Sequence, residues 1–222
     1  MTSAWSYSSI KTFDQCPRKY YHLKVLKDVI DEGSEATIYG QAVHKAAEEY
    51  IKDGVAVPEK FKYIQGFVER INNIEGDKLT ELQLGVRKTG AGYEPCGFKD
   101  KDVWWRGIAD VVVIRGDIAY SIDYKTSKNA KYADTKQLDL VAAGLFTHYP
   151  NLKKIKSGLL FVVSNEFITK DHFAEHRDEY FGTFKDELDR LDAAEVSGVW
   201  NAVTSPLCKF CPVVRCEHNR KG

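Results

Sequence analysis

The sequence predicts an α/β fold, a mixed sheet with helices packed against it. Two observations carry that expectation. The apolar period changes from helical to extended near Leu79 and returns to helical near Thr135, so strands and helices interleave along the chain. With 222 residues, 43% hydrophobic and 29% charged, the chain has enough apolar material for one substantial core and too much for disorder.

The elements follow in order. The first 27 residues read as two short helices broken at Cys16-Pro17, with Ser6 or Ser8 as a cap for the first and Pro17 in the first turn of the second. A longer helix is expected from about Thr37 to Lys52, with Val43, Ala47, Tyr50 and Ile51 on its apolar side. Another is expected from Glu59 to Ile71. LTELQLGV (Leu79–Val86) is strand-like, and KTGAGYEPCG after it is rich in turn residues. Val103 to Ile114 and Ile118 to Lys125 are β-branched and aromatic, as strands require. TKQLDLVAAGLFTHY returns to helix, GLLFVVS is a short buried strand, and a charged amphipathic helix is expected from about Phe173 to Ala194. A cysteine-bearing tail ends the chain.

Composition excludes several classes. The 32 Lys and Arg cancel the 32 Asp and Glu, so any polyanion must be held by locally gathered basic residues. The longest apolar runs fall far below the roughly 18 residues of a membrane span. MTSAWSYSSIK has no apolar core of a secretory signal, which predicts a cytoplasmic protein with no membrane partner.

The sharpest local pattern lies in Val103–Lys125. A two-residue hairpin turn at Gly116-Asp117 makes Arg115 face Ile118 and, counting back, Asp110 face Asp123. Strict alternation then puts Asp110, Asp123 and Lys125 on one face. Two opposed carboxylates repel, and a hard divalent cation such as Mg²⁺ or Mn²⁺ removes the repulsion. A surface ladder in which Lys125 only neutralises Asp123 is the competing reading. Gly107, on the approach to Asp110, leaves space for a substrate backbone. His44 shares a helix face with Gly40 and Glu48 and is a plausible third ligand or a packing residue. Glu81 either adds a carboxylate or faces solvent.

Taken together, GQAVH (Gly40–His44), GIAD (Gly107–Asp110), IDYK (Ile122–Lys125), QLDL (Gln137–Leu140) and the opening SYSSIKTFDQCPRKYY resemble the PD-(D/E)XK nuclease superfamily. The resemblance is to its RecB-type branch, with CRISPR-associated and AddB-like iron–sulfur exonucleases. It covers nearly the whole chain in the right order. It implies a restriction-endonuclease-like mixed sheet with flanking helices. His44, Asp110, Asp123 and the Tyr124 carbonyl would hold the metal, Lys125 would be the catalytic lysine, and Gln137 would start the helix bordering the site. One departure is Val141, where the branch usually has an aromatic residue.

The tail reads Cys208-x2-Cys211-x4-Cys216, three soft ligands at short spacing. The resemblance supplies Cys16 as the fourth and favours a [4Fe–4S] cluster, with Zn²⁺ the alternative. Cys96 is the bystander. On this reading residues 1–222 form a single nuclease domain, in which 1–35 and 200–222 contribute the cysteine clasp and 36–195 the core and flanking helices. Phosphate contacts are expected from Arg18, Lys19, Lys24 and Lys27, from Lys128, Lys131 and Lys136, and from Arg215, Arg220 and Lys221. One or two of Tyr7, Tyr20, Tyr21, Trp104 and Trp105 would stack on bases, the others packing in the core.

The function so implied is metal-dependent hydrolysis of DNA, as an exonuclease on single-stranded or frayed ends in recombination, repair or replication. No phosphate-binding GxxxxGK[ST] loop is present, so unwinding would need a helicase partner. The alternatives are a structure-directed or protospacer-processing endonuclease and, in another class, a non-catalytic DNA-binding iron–sulfur subunit.

Overall fold

The computed structural model describes residues 4–131 and 133–219; Arg220 and Lys221 lie outside them. The chain forms two compact units, one of residues 4–33 with 184–219 and one of Ser34–Thr183.

The Ser34–Thr183 unit is an α/β sandwich. Its first helix, α3, spans Glu35–Asp53, after α1 (Tyr7–Gln15) and α2 (Pro17–Tyr20) of the other unit. Ser34 and Thr37 form a reciprocal capping box, and Gly54 in the left-handed region ends α3. A 3-10 turn (Glu59–Ile64) leads into α4 (Gln65–Asn72). Six strands follow around one further long helix: β1 (Asp77–Thr89), β2 (Gly92–Cys96), β3 (Trp105–Arg115), β4 (Ile118–Lys125), α5 (Lys136–His148), β5 (Lys154–Phe161) and β6 (Glu166–Phe173). The sheet order is β2-β1-β3-β4-β5-β6, antiparallel except for β4 beside β5, whose crossover is α5. A short helix, α6 (Arg177–Gly182), closes the unit.

Two layers flank the sheet. Val43, Ala47 and Ile51 of α3 pack with Phe61, Val68 and Ile71 on Val111, Val113, Ile122 and Leu160. On the other face, Leu138 of α5 packs on Leu159 and Phe161. The Gly116-Asp117 hairpin and its register, Arg115 opposite Ile118 through Val111 opposite Ile122, are as the sequence predicts, with Gly116 at φ +61°.

Three expectations change. The turn-rich segment after β1 contains β2, short and at the sheet edge. The segment before Phe173 is strand β6, whose inward side, Ile168, Lys170 and His172, is masked by two polar residues. The expected Phe173–Ala194 helix is broken. After α6, α7 starts at Lys185 and runs to Ser197, with Thr183 and Phe184 between them. Phe181 packs on Tyr93, Trp104 and Trp105, whereas Phe184 packs on Trp5 and Tyr7, so the two rings serve different cores.

In the other unit, Ser6 caps α1 with a capping box. Tyr20 and Tyr21 stack on Trp200, and Phe13 meets both Tyr20 and Trp200 edge-on. Arg190 of α7 pairs with Asp14. The N- and C-terminal segments are joined by Arg18–Glu217 and Arg215–Asp28 ion pairs and by the Arg18 N–H donating to the Asn201 carbonyl. Among the described residues no helix is long and apolar enough to cross a membrane.

Candidate active site

The site begins with a fault in the sheet. The β1–β3 ladder pairs Thr80 with Val111 and Leu82 with Ala109, and skips the Glu81–Asp110 position between them. Glu81 sits at φ +48°, a left-handed conformation costing a non-glycine residue about 1 kcal/mol or more. The strand also changes face there. Trp105 lies against α5, where a Cβ on Gly144 would meet its indole at 2.6 Å. Val111 and Val113, an even number of residues further on, pack with α3. In an uninterrupted strand all three would share a face.

The fault frees groups for chemistry. Beyond Val111–Ile122 the β3–β4 ladder stops, and the Tyr124 N–H donates to Asp110 Oδ2 at 2.8 Å. His44, from α3, lies 3.2 Å from that oxygen through Nδ1 and 2.9 Å from the Tyr124 carbonyl through Nε2. Both partners are acceptors, so each ring nitrogen has a proton acceptor beside it in the metal-free protein, and a bound ion would take the place of a proton on one of them. Burial works against its charge, but the Asp110 carboxylate beside it outweighs burial and raises its pKa. Gly40, one turn before His44, lets α3 approach Thr126, whose Oγ1 would lie 3.2 Å from a Cβ there.

Ligating atoms of His44, Glu81 and Asp110 lie within 4.8 Å of one another, the one such group among the described residues. They line an open pocket of about 670 Å³ with Gly40, Glu48, Tyr124 and Lys125. Asp123 is on the α5 side of β4, outside that group; its Oδ2 is 2.7 Å from Lys125 Nζ. Lys125 also donates to Gln137 Oε1 at 3.2 Å, and the buried Gln137 Nε2 has no protein partner. Burial and then the Asp110 charge raise the Asp123 pKa, and the same two causes raise that of Glu81. Crowded carboxylates beside an imidazole are the donor set of a hard divalent cation, so the residues fit one.

The structure thus gathers His44, Asp110, the Tyr124 carbonyl and, a step away, Asp123, Lys125 and Gln137. It also gives Glu81 a place that sequence alone left open; its signal was a lone carboxylate on an apolar strand. Gly107 corrects an expectation. A Cβ there would meet the Trp105 indole at 2.4 Å, so the glycine makes room for a core tryptophan and not for substrate.

In the other unit, Cys16, Cys208, Cys211 and Cys216 all line one cavity of about 180 Å³. The Val203 N–H donates to Cys16 Sγ at 3.5 Å and the Ser205 N–H to Cys208 Sγ at 3.4 Å. No three of these sulfurs come within 4.8 Å of one another, whereas four bonds of about 2.3 Å to one tetrahedral ion would hold them closer. Cys96 stands apart at the end of β2. The aromatic residues expected at bases pack internally: Tyr20 and Trp105 are buried, Tyr7 and Tyr21 meet Phe184 and Trp200, and Trp104 meets Tyr93.

The chain superposes on a Eubacterium rectale protein titled as a candidate exonuclease, with TM-score 0.52 and 13% identity over 99% of this chain and 88% of the other. It also matches the protein SSO0001, with TM-score 0.49 and 14% identity over the same shares. No curated protein sequence matches the chain. The sequence profile of the PD-(D/E)XK nucleases matches residues 4–216. With a match of that length, and the motif residues placed as described, the chain belongs to the PD-(D/E)XK nuclease superfamily.

Proposed function

We propose that this protein is a Mg²⁺- or Mn²⁺-dependent deoxyribonuclease acting as an exonuclease on single-stranded or frayed DNA ends. The observation that supports it most is the convergence of His44, Glu81 and Asp110 beside a lysine held between Asp123 and Gln137. His44, Asp110, Glu81 and the Tyr124 carbonyl would hold the ion, with Asp123 contributing from the next strand position. The ion supplies Lewis acidity toward a phosphodiester. Lys125, fixed by two oxygen partners, presents its charge at the pocket wall where negative charge grows on the phosphate. Gln137, its carbonyl turned to Lys125, holds that amine in place from the first turn of α5.

We also propose that Cys16, Cys208, Cys211 and Cys216 hold a [4Fe–4S] cluster. Their shared cavity and the two amide N–H···S contacts support a thiolate site there, and the family resemblance favours the cluster over Zn²⁺. On this reading the whole chain works as one nuclease domain in a reducing cytoplasm, with the terminal clasp as its structural part. A helicase or recombination partner would supply the ends.

The test is incubation with Mn²⁺ of end-labelled linear DNA, single- and double-stranded, beside the same DNA circularised. Shortening of the linear forms alone is expected. Cutting of circles would replace the exonuclease with an endonuclease. No cleavage of any form, with no Mn²⁺ binding by calorimetry, would overturn the metal-nuclease reading.

A further inference from the structure

A second set of polar groups is buried on the α5 side of the sheet, apart from those of the metal pocket. Asp139 (4% exposed), His172 (0%) and Ser157 (2%) form a continuous chain there. His172 Nε2 lies 2.8 Å from Asp139 Oδ1, His172 Nδ1 lies 3.2 Å from Ser157 Oγ, and Lys170 Nζ reaches the same Asp139 oxygen at 2.6 Å. One tautomer satisfies every group: the Ser157 hydroxyl donates to Nδ1, and Nε2–H donates to Asp139. The Asp139 charge is matched by Lys170. A buried, fully partnered network of this kind fixes geometry more than it adds net stability.

What it fixes is α5. Asp139 lies in the first turn of that helix, two residues after Gln137. Leu138 of the same turn is buried against Leu159 and Phe161, which resists lifting of the helix, and the polar network adds a directional tie that fixes its register. The network ties Asp139 to β5 and β6, while Gln137 faces β4 and accepts from Lys125. A rotation or slide of α5 by a fraction of a turn would break the 3.2 Å Lys125–Gln137 contact. Displacements of about 1 Å at a positioning group are enough to cost catalysis severely.

We propose that Asp139, held by His172 and Lys170, is a positioning residue that sets Gln137 against Lys125. The inference deepens the nuclease reading and rests on it only for its consequence in catalysis; the coupling itself concerns the metal-free protein.

Competitive acetylation of lysines, read by peptide mass spectrometry on the metal-free full chain, tests the coupling without any activity. Gln137→Ala removes the oxygen that holds the Lys125 amine, so the freed amine should reach the reagent and acetylate severalfold faster, with Lys52 and Lys78 unchanged. Asp139→Ala should raise Lys125 labelling to the same level, and Gln137→Ala with Asp139→Ala should raise it no further. Should Asp139→Ala not fold, Lys170→Met, at a half-exposed position, should give the same direction with smaller size. Labelling of Lys125 that rises in Gln137→Ala but not in Asp139→Ala or Lys170→Met overturns the proposal, as does labelling that none of the variants changes. With wild-type protein that cleaves DNA, kcat should fall in Asp139→Ala at an unchanged Mn²⁺ half-saturation, and not fall again when Gln137→Ala is added. Coupled labelling in a protein that never cleaves DNA would sink the nuclease reading and leave the positioning role standing.

Discussion

The metal pocket and the cysteine cavity both gather ligands, and they do so by opposite means. In the pocket every donor sits on a helix or strand with a buried flank: His44 on α3, Glu81 on β1, Asp110 on β3. In the cavity the donors sit where regular structure is scarce. Cys16 lies at the α1–α2 break, Cys208 in a five-residue 3-10 turn that Cys211 ends, and Cys216 in a turn beyond it. Leu207, Phe210 and Val214 around them are more than half exposed. The contrast teaches that the pocket is pre-organised by a core that does not need an ion, whereas on the proposed reading the clasp would depend on a bound group for order.

The largest effect should therefore come from the weaker framework. Cys208→Ser should remove protection from hydrogen exchange across residues 200–219, since metal-thiolate ligation in small sites is worth on the order of 10 kcal/mol. The Mn²⁺ affinity of the pocket should be unchanged, and a joint loss of both would end the contrast. Asp110→Asn is the mirror experiment. Mn²⁺ binding by calorimetry and DNA cleavage should fail together, cleavage by about 10³-fold, while exchange protection across residues 200–219 is unchanged.

Smaller effects sharpen the account of the fault in the sheet. Gly107→Ala drives a methyl group into the Trp105 indole and should cost about 1–3 kcal/mol in urea denaturation. Glu81→Gly should do the reverse for folding. Relief of the left-handed conformation should raise metal-free stability by about 1 kcal/mol, as Mn²⁺ affinity drops. A variant that loses both stability and affinity would show that Glu81 is held by packing and not strained for function.

The smallest is a pH effect. Burial pushes the Asp139 carboxyl up, but hydrogen bonds from His172 and Lys170 outweigh it and hold its pKa below the usual range. Its stabilisation is thus present above the unfolded value of about 3.9 and is lost as pH falls through the lower folded value. Asp139→Asn should flatten the acid limb of stability against pH below about pH 4 and leave the neutral limb parallel to wild type.

Much of this was legible in the residues, for identifiable reasons. The hairpin register followed from Gly116-Asp117, because a two-residue turn leaves no freedom of pairing. The α3 face followed from period, and Gly40 from its place one turn before His44. What was hidden is non-local. Nothing in the local sequence announces that Glu81 and Asp110 share an unpaired position, so alternation was carried straight through the residue where it fails. For the same reason Asp123 appeared to share a face with Asp110, and Gly107 appeared to open toward substrate when Trp105, two residues earlier, fills that space. Strand β6 is hidden in the sequence because Asp171 and His172 look like loop residues until Lys154 and Asp139 are seen beside them.

The central claim is that a pre-organised ion site works with a lysine that binds no metal. The direct measurement is the cleavage rate of linear DNA by Lys125→Met and by wild type at saturating Mn²⁺, with Mn²⁺ affinity measured on both. The expected result is a fall of about 10²–10³-fold in rate with metal binding retained. Equal rates would contradict it, leaving Lys125 as no more than the counter-ion of Asp123.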